Sequence, residues 1–171
     1  RALTVDTLGR HVYAVGKRSD GGVERDTVVA FQRDPLTGVL TRQRSWSDGE
    51  VVPRPGGGGN APPVRGISGA SDIAITADGR FVYVAGRDSD SIAVFARDPA
   101  SGLLEWTSQV VDNEMNVQGI GGVSALAISP DGSQLYAGGA ASQAVAGFAL
   151  NAVSGALSQV SVIHQSGGNN G

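Results

Sequence analysis

The chain has 171 residues, 40% of them hydrophobic, a formal net charge of -3 and a pI near 5.2. These values describe one globular domain able to bury a sizeable core, and the acidic balance argues against nucleic acid as a partner. The absence of cysteine excludes disulfides, thiolate metal sites and a cysteine nucleophile, and no apolar run approaches the ~20 residues of a membrane span.

The chain starts at Arg1, which suggests a processed protein or a piece of a longer one. Its first unit, residues 1–52, holds LTVDTLGRHVYAVG and then VVAFQRDPLTGVL. A Gly/Pro-rich insert follows at 53–65. The second unit, 66–118, holds DIAITADGRFVYVAG and IAVFARDPASGLL, and the third, 119–171, holds ALAISPDGSQLYAGG and AVAGFALNAVSGAL. Gly79, Tyr83 and Gly102 recur as Gly132, Tyr136 and Gly155, a period of 53 residues. All three tyrosines, Tyr13, Tyr83 and Tyr136, share one repeat position, and Phe31, Phe95 and Phe148 share another.

Each unit reads as four short strands. In the second these are 72–76, 81–86, 91–97 and 103–111. Asp78-Gly79 between the first two predicts a type I′ hairpin, whose two central residues need positive φ. Asp98-Pro99-Ala100-Ser101-Gly102 predicts a turn in which proline presets φ and glycine takes the left-handed position. Four strands per repeat of about 40–50 residues are the signature of a β-propeller blade. The apolar residues on both faces of 81–86 and 91–97 suit a blade packed between two others. The predicted fold is therefore all-β: three propeller blades, each a four-stranded antiparallel sheet, within a larger ring or assembly. The three tyrosines and the three phenylalanines should be buried alike. The end faces, carrying Val12, Val15, Val29 and Phe31 at one end and Leu135, Ala137, Val145 and Phe148 at the other, should seek further blades or copies of the chain.

The strings DGRFVYVAGRDSDSIAVFARDPASGLL and SPDGSQLYAGGAASQAVAGFAL resemble the bacterial lactonase-like β-propellers, which include 6-phosphogluconolactonase-type enzymes and many secreted repeat proteins. The segments Gly66–Ser71 and Gly119–Ser124 are similar to the inter-blade motif of the secreted members. The resemblance implies a secreted, periplasmic or surface-associated module that binds or assembles, with protein or carbohydrate as partner. A lactone hydrolase is the alternative. No histidine, arginine or glutamate matches a catalytic position of the family. One methionine and two non-equivalent histidines offer little to a redox centre.

Candidate sites are few. His11 and His164 read as structural or solvated. Asp48 and Glu50 after the fourth strand of unit one recur as Asp112 and Glu114 in unit two, and oxygen ligands in such loops would suit calcium; the alternative is that they cap loop N–H groups. Arg54 and Arg65 in the insert would make a basic recognition loop. Gly21–Asp26 lengthens the turn between strands two and three of unit one, so both insertions decorate one blade. Trp46 and Trp106, on outer strands at non-equivalent positions, either anchor a partner or cover a blade edge.

Overall fold

The structure, a computed structural model, describes residues 1–52 and 59–165. The described residues form strands β1 (Leu3–Val5), β2 (His11–Asp20), β3 (Val23–Arg33) and β4 (Leu40–Ser47), then β5 (Ala70–Ile75), β6 (Phe81–Gly86), β7 (Ser91–Arg97) and β8 (Leu104–Val111), then β9 (Val123–Ile128), β10 (Gln134–Gly139), β11 (Ala144–Leu150) and β12 (Leu157–His164). Each set of four is one antiparallel sheet in sequence order, a propeller blade. The first strands of successive blades lie against one another, β1 on β5 and β5 on β9. This places the first strand of each blade nearest the axis.

A β-bulge recurs in every blade, immediately before Phe31, Phe95 and Phe148. The turns between first and second strands are not type I′. Asp78 keeps negative φ and only Gly79 is left-handed, at φ 70°. The Asp78 carboxylate accepts from the Thr76 hydroxyl (2.6 Å) and the Arg80 N–H (3.0 Å). These bonds hold a turn closed by Gly79 N–H donating to Thr76 O. Nor does the Gly21–Asp26 insertion enlarge a turn. It lengthens β2 and β3 into a projecting hairpin, closed by Gly21 and Gly22 at φ 58° and 86°. Paired glycines with positive φ match the twist of the flanking strands, so the added residues continue the ladder.

Two core clusters fill the two seams between blades. Tyr13, Val15, Val28, Ala30 and Trp46 of blade one pack on Val82, Val84, Ala93 and Phe95 of blade two. Tyr83, Ala85, Ile92 and Val94 of blade two pack on Leu135, Ala137, Ala146 and Phe148 of blade three. The repeat tyrosine therefore faces the following blade and the repeat phenylalanine the preceding one. Tyr13, Tyr83, Phe95 and Phe148 are fully buried, whereas Tyr136 is 42% exposed and Phe31 is half-buried. These two departures from the expected uniform burial have one cause: Tyr136 and Phe31 lie on the outer faces of the end blades. The expected end faces need the same correction. Val15, Leu135, Ala137 and Phe148 belong to the seams, while Val145 is 53% exposed on the outer face of blade three. Val12 and Val29 do share the outer face of blade one with Phe31, by the β2–β3 register.

Glycine in the β3–β4-type turn serves the seam as well as the backbone. Gly102 has φ 74°, and a Cβ there would sit 2.2 Å from the His11 ring of blade one. Gly38, at φ 75°, meets nothing closer than Arg33 at 3.9 Å. Both alanine substitutions carry the left-handed penalty of about 1–2 kcal/mol. Gly102→Ala adds an overpacking cost of about 1–3 kcal/mol. Urea melts of the two variants should therefore differ by that amount, and equal losses would mean that the ring moves aside freely.

Candidate functional site

The buried ionisable groups Asp6, His11 and Arg97 gather at one end of the seam between blades one and two. Asp6 leaves β1 at a turn, His11 opens β2, and Arg97 ends β7; all three are buried. Arg97 Nη2 donates to Asp6 Oδ2 (2.7 Å), Nε donates to the Tyr13 hydroxyl (2.6 Å), and Nη1 donates to Gly79 O (2.9 Å). The Tyr13 hydroxyl in turn donates to Gly102 O (2.6 Å). Arg97 Nη2 also lies 2.9 Å from His11 Nδ1. Nδ1 lies 3.3 Å from Asp6 Oδ2 as well, so it accepts from Arg97 or donates to the carboxylate according to the ring tautomer. With Nδ1 held between Asp6 and Arg97 and with Gly102 against the ring, His11 serves the seam. Burial pushes the Asp6 carboxyl up, but the N–H groups of His11 and Arg10, the His11 ring and the Arg97 charge outweigh it, and the net position is below the ordinary value. Burial pushes the Tyr13 phenol up despite its bond from Arg97.

The opposite end of each seam is clasped by carboxylates. Asp26 accepts from Gly69 N–H (2.8 Å) and Asp48 from Ile67 N–H (3.4 Å). One blade on, Asp90 accepts from Gly122 N–H (2.6 Å) and Asp112 from Ile120 N–H (3.0 Å). Backbone bonds pair the positions: Asp48 N–H to Asp26 O, Asp112 N–H to Asp90 O, and Gln165 N–H to Gln143 O. The glutamines show that blade three lacks the acidic clasp. Glu50 caps Ser47 N–H (2.9 Å), and Glu114 is exposed. Among the described residues no three His, Asp or Glu side chains gather as a metal cluster. Calcium binding requires several oxygens converging at about 2.3–2.6 Å, whereas Asp48 and Asp112 are turned onto N–H donors. Excess chelator is therefore expected to leave the melting temperature unchanged; a fall would point to calcium at Asp48, Glu50, Asp112 and Glu114.

A second polar site opens at this same end, beside the inner strands. A shallow cleft of about 330 Å³ is lined by Arg1, Lys17, Gly69, Ser71, Arg87 and Asp88. Arg1 pairs with Asp26 of its own blade (2.7 Å) and reaches across the seam to Ala70 O (3.0 Å). Lys17 pairs with Glu24 (3.1 Å) on the projecting hairpin. The Ser71 hydroxyl lies within donating distance of Ala85 O (3.2 Å) and Val123 O (3.0 Å), so it is placed as a structural donor. Arg87 and Asp88 are exposed, and among the described residues their side chains carry no hydrogen bond or ion pair.

The remaining sequence candidates are scattered. Trp46 is buried at 1% exposure in the seam between blades one and two. Trp106 packs on the same seam from the other blade, and its indole donates to Arg65 O (2.9 Å). Arg65 is exposed, and Arg54 lies outside the described residues. His164, at the end of β12, lies against Ser142 O (3.3 Å). Sequence reasoning missed the Asp6–His11–Arg97 cluster and the Asp26 and Asp90 clasps. A partial signal existed for the cluster: Asp6, His11 and Arg97 are ionisable where the next seam carries Thr76, Phe81 and Leu150.

A family model described as lactonase, 7-bladed beta-propeller, matches residues 59–169. Similar solved structures include the periplasmic gluconolactonase PpgL of Pseudomonas aeruginosa, with 18% identity and TM-score 0.51 over 97% of this chain and 72% of that one. A candidate 6-phosphogluconolactonase of Bacteroides fragilis aligns with 17% identity and TM-score 0.51, over 96% and 70%. A functionally unknown protein from Desulfotomaculum acetoxidans aligns with 17% identity and TM-score 0.61, over 96% and 56%. At such identities the likeness is one of fold. Comparison with curated proteins finds no match.

Proposed function

The chain belongs to the lactonase, 7-bladed beta-propeller family, and on that premise we propose that its blades form part of a propeller that hydrolyses a lactone. The observation that carries this reading is the cleft of Arg1, Lys17, Arg87 and Asp88 beside the inner strands. Lactone hydrolysis adds water to the ring carbonyl and breaks the ring C–O bond, giving a hydroxy acid. Negative charge builds on the carbonyl oxygen in the transition state, and a preorganised cation stabilises it. Arg87, whose side chain has no partner among the described residues, would supply that cation or meet an anionic substituent. The neighbouring Asp88 carboxylate is the available base for the attacking water. Hydrolysis of a panel of sugar lactones by the propeller containing these blades tests the proposal. Turnover above the spontaneous rate is expected, falling about 10²-fold or more in Arg87→Gln; rates equal to the spontaneous reaction would reject it.

The projecting β2–β3 hairpin favours a second reading, a secreted or surface-associated binding and assembly module. Among the described residues the backbone ladder of its outer part joins β2 to β3 alone, which leaves strand edges free to receive protein or carbohydrate. Among the described residues no helix is long and apolar enough to cross a membrane. If the lactone panel is inert while deletion of 18–25 abolishes a surface interaction, this second reading replaces the first.

A further inference from the structure

The seam between blades one and two holds a guanidinium of the protein's own, and the seam between blades two and three has a cavity at the same place. Leu150 N–H donates to Ser133 O as Arg97 N–H donates to Arg80 O, so Leu150 occupies the repeat position of Arg97. By the same ladder Thr76 stands for Asp6, Phe81 for His11 and Gly132 for Gly79. Exchanging a long arginine for leucine leaves a cleft of about 200 Å³ lined by Thr76, Phe81, Tyr83, Gly132, Leu150 and Asn151.

Two of the groups that receive the Arg97 guanidinium, the tyrosine hydroxyl and the glycine carbonyl, are still present, while Thr76 and Phe81 replace Asp6 and His11. The Tyr83 hydroxyl donates to Gly155 O (2.9 Å), leaving its lone pairs as Tyr13 leaves them for Arg97. Gly132 O corresponds to Gly79 O, which accepts Arg97 Nη1. Among the described residues neither Tyr83 Oη nor Gly132 O accepts a hydrogen bond. Phe81 adds an aromatic wall, a surface on which guanidinium groups stack; Arg80 already lies 5.9 Å from its ring centroid. Two carboxylates stand at the rim. Asp78 is committed to Arg80 (2.7 Å). Asp131 has no ion pair among the described residues, and the hydroxyls of Ser129 and Ser133 hold its carboxyl down to about 2, so it stays ionised.

We propose that this cleft binds a guanidinium group on a short aliphatic stem, with Tyr83 Oη and Gly132 O accepting its N–H groups, Phe81 packing its face and Asp131 supplying charge. The group belongs either to a free small molecule or to an arginine side chain of a partner. Amide NMR titration of the whole chain with agmatine, and separately with a blocked Gly-Arg-Gly peptide, tests it. Saturable shifts at Tyr83, Gly132 and Ala152 are expected. Saturation by agmatine assigns the site to small molecules, and saturation by the peptide alone assigns it to a partner's arginine. Leu150→Arg should fill the cleft from within and weaken binding at least tenfold. Asp131→Asn should weaken it about two- to fivefold at low salt. Tetramethylammonium, which has the charge but no N–H, should give no saturable shift, and this comparison decides the matter should Leu150→Arg not fold. Failure of both guanidinium probes to saturate, equal binding of tetramethylammonium, or unchanged binding in folded Leu150→Arg would overturn the proposal.

Discussion

Arg97→Leu is expected to destabilise the protein by about 3–5 kcal/mol, because it leaves the Asp6 carboxylate buried without its cation. The loss should not be read as the worth of the ion pair. The seam between blades two and three manages with Thr76, Phe81 and Leu150 at the corresponding positions. The triple variant Asp6→Thr, His11→Phe, Arg97→Leu should therefore recover most of the loss, since it removes both charges and supplies apolar contact. Urea melts of the single and triple variants make the comparison. A triple variant as unstable as the single would show that the polar seam is specified by surroundings the apolar set cannot match. The pH dependence follows from Asp6, whose carboxyl is held below its ordinary value of 3.8 in the folded protein. A depressed folded value contributes stability above the unfolded value and loses it as pH falls through the folded one. The native protein should thus lose stability below about pH 4 more steeply than the triple variant.

The isolated 171-residue chain is expected to self-associate. Tyr136 and Val145 on the outer face of blade three are 42% and 53% exposed, and Leu3 and Val5 on the inner strand of blade one 66% and 43%. Val29 and Phe31 lie half-covered on the outer face of blade one. Tyr83, Ile92, Ala93 and Phe95, the seam counterparts of Tyr136, Val145, Val29 and Phe31, are fully buried. Burial is worth roughly 25 cal/mol per Å², and open sheet faces forfeit it against a net stability of only about 5–15 kcal/mol. Blade three of one copy meeting blade one of the next would repeat a seam already present twice, and such a head-to-tail contact closes a ring or grows a filament. In that contact the Tyr136 hydroxyl, now turned onto its own neighbour Gln134, would meet Gly38 O, the counterpart of Gly102 O and Gly155 O. Light scattering across a concentration series should give a mass above the monomer that rises with concentration. Tyr136→Lys with Val145→Lys, both at exposed positions, should bring it back to the monomer. A native chain that stays monomeric at every concentration and melts cooperatively would show that three blades suffice.

The repeat was legible in the sequence because its signals are local. Gly79 and Gly102 must be left-handed where they stand, at φ 70° and 74°, and no other residue takes that conformation so cheaply. The apolar runs at 81–86 and 91–97 mark strands covered on both faces. The family resemblance rests on those same segments. Which face of each blade a residue occupies is decided by the tertiary structure. Val12 and Val15 look alike in the sequence, but an odd separation of three positions along the strand turns them to opposite faces, and only Val15 joins the cluster shared with blade two. The Arg97 cluster was missed for a related reason, because the ionisable residues at its repeat positions do not by themselves show that they meet. Asp6 and Arg97 are 91 residues apart, and their neighbours in the chain are ordinary turn residues. An arginine ending a strand reads as solvated until a neighbouring blade removes the water around it. The same holds for the carboxylates read as calcium ligands. Asp48 and Asp112 recur because each seam offers a loop N–H at the same place, and that N–H comes from a blade whose position only the assembled fold supplies.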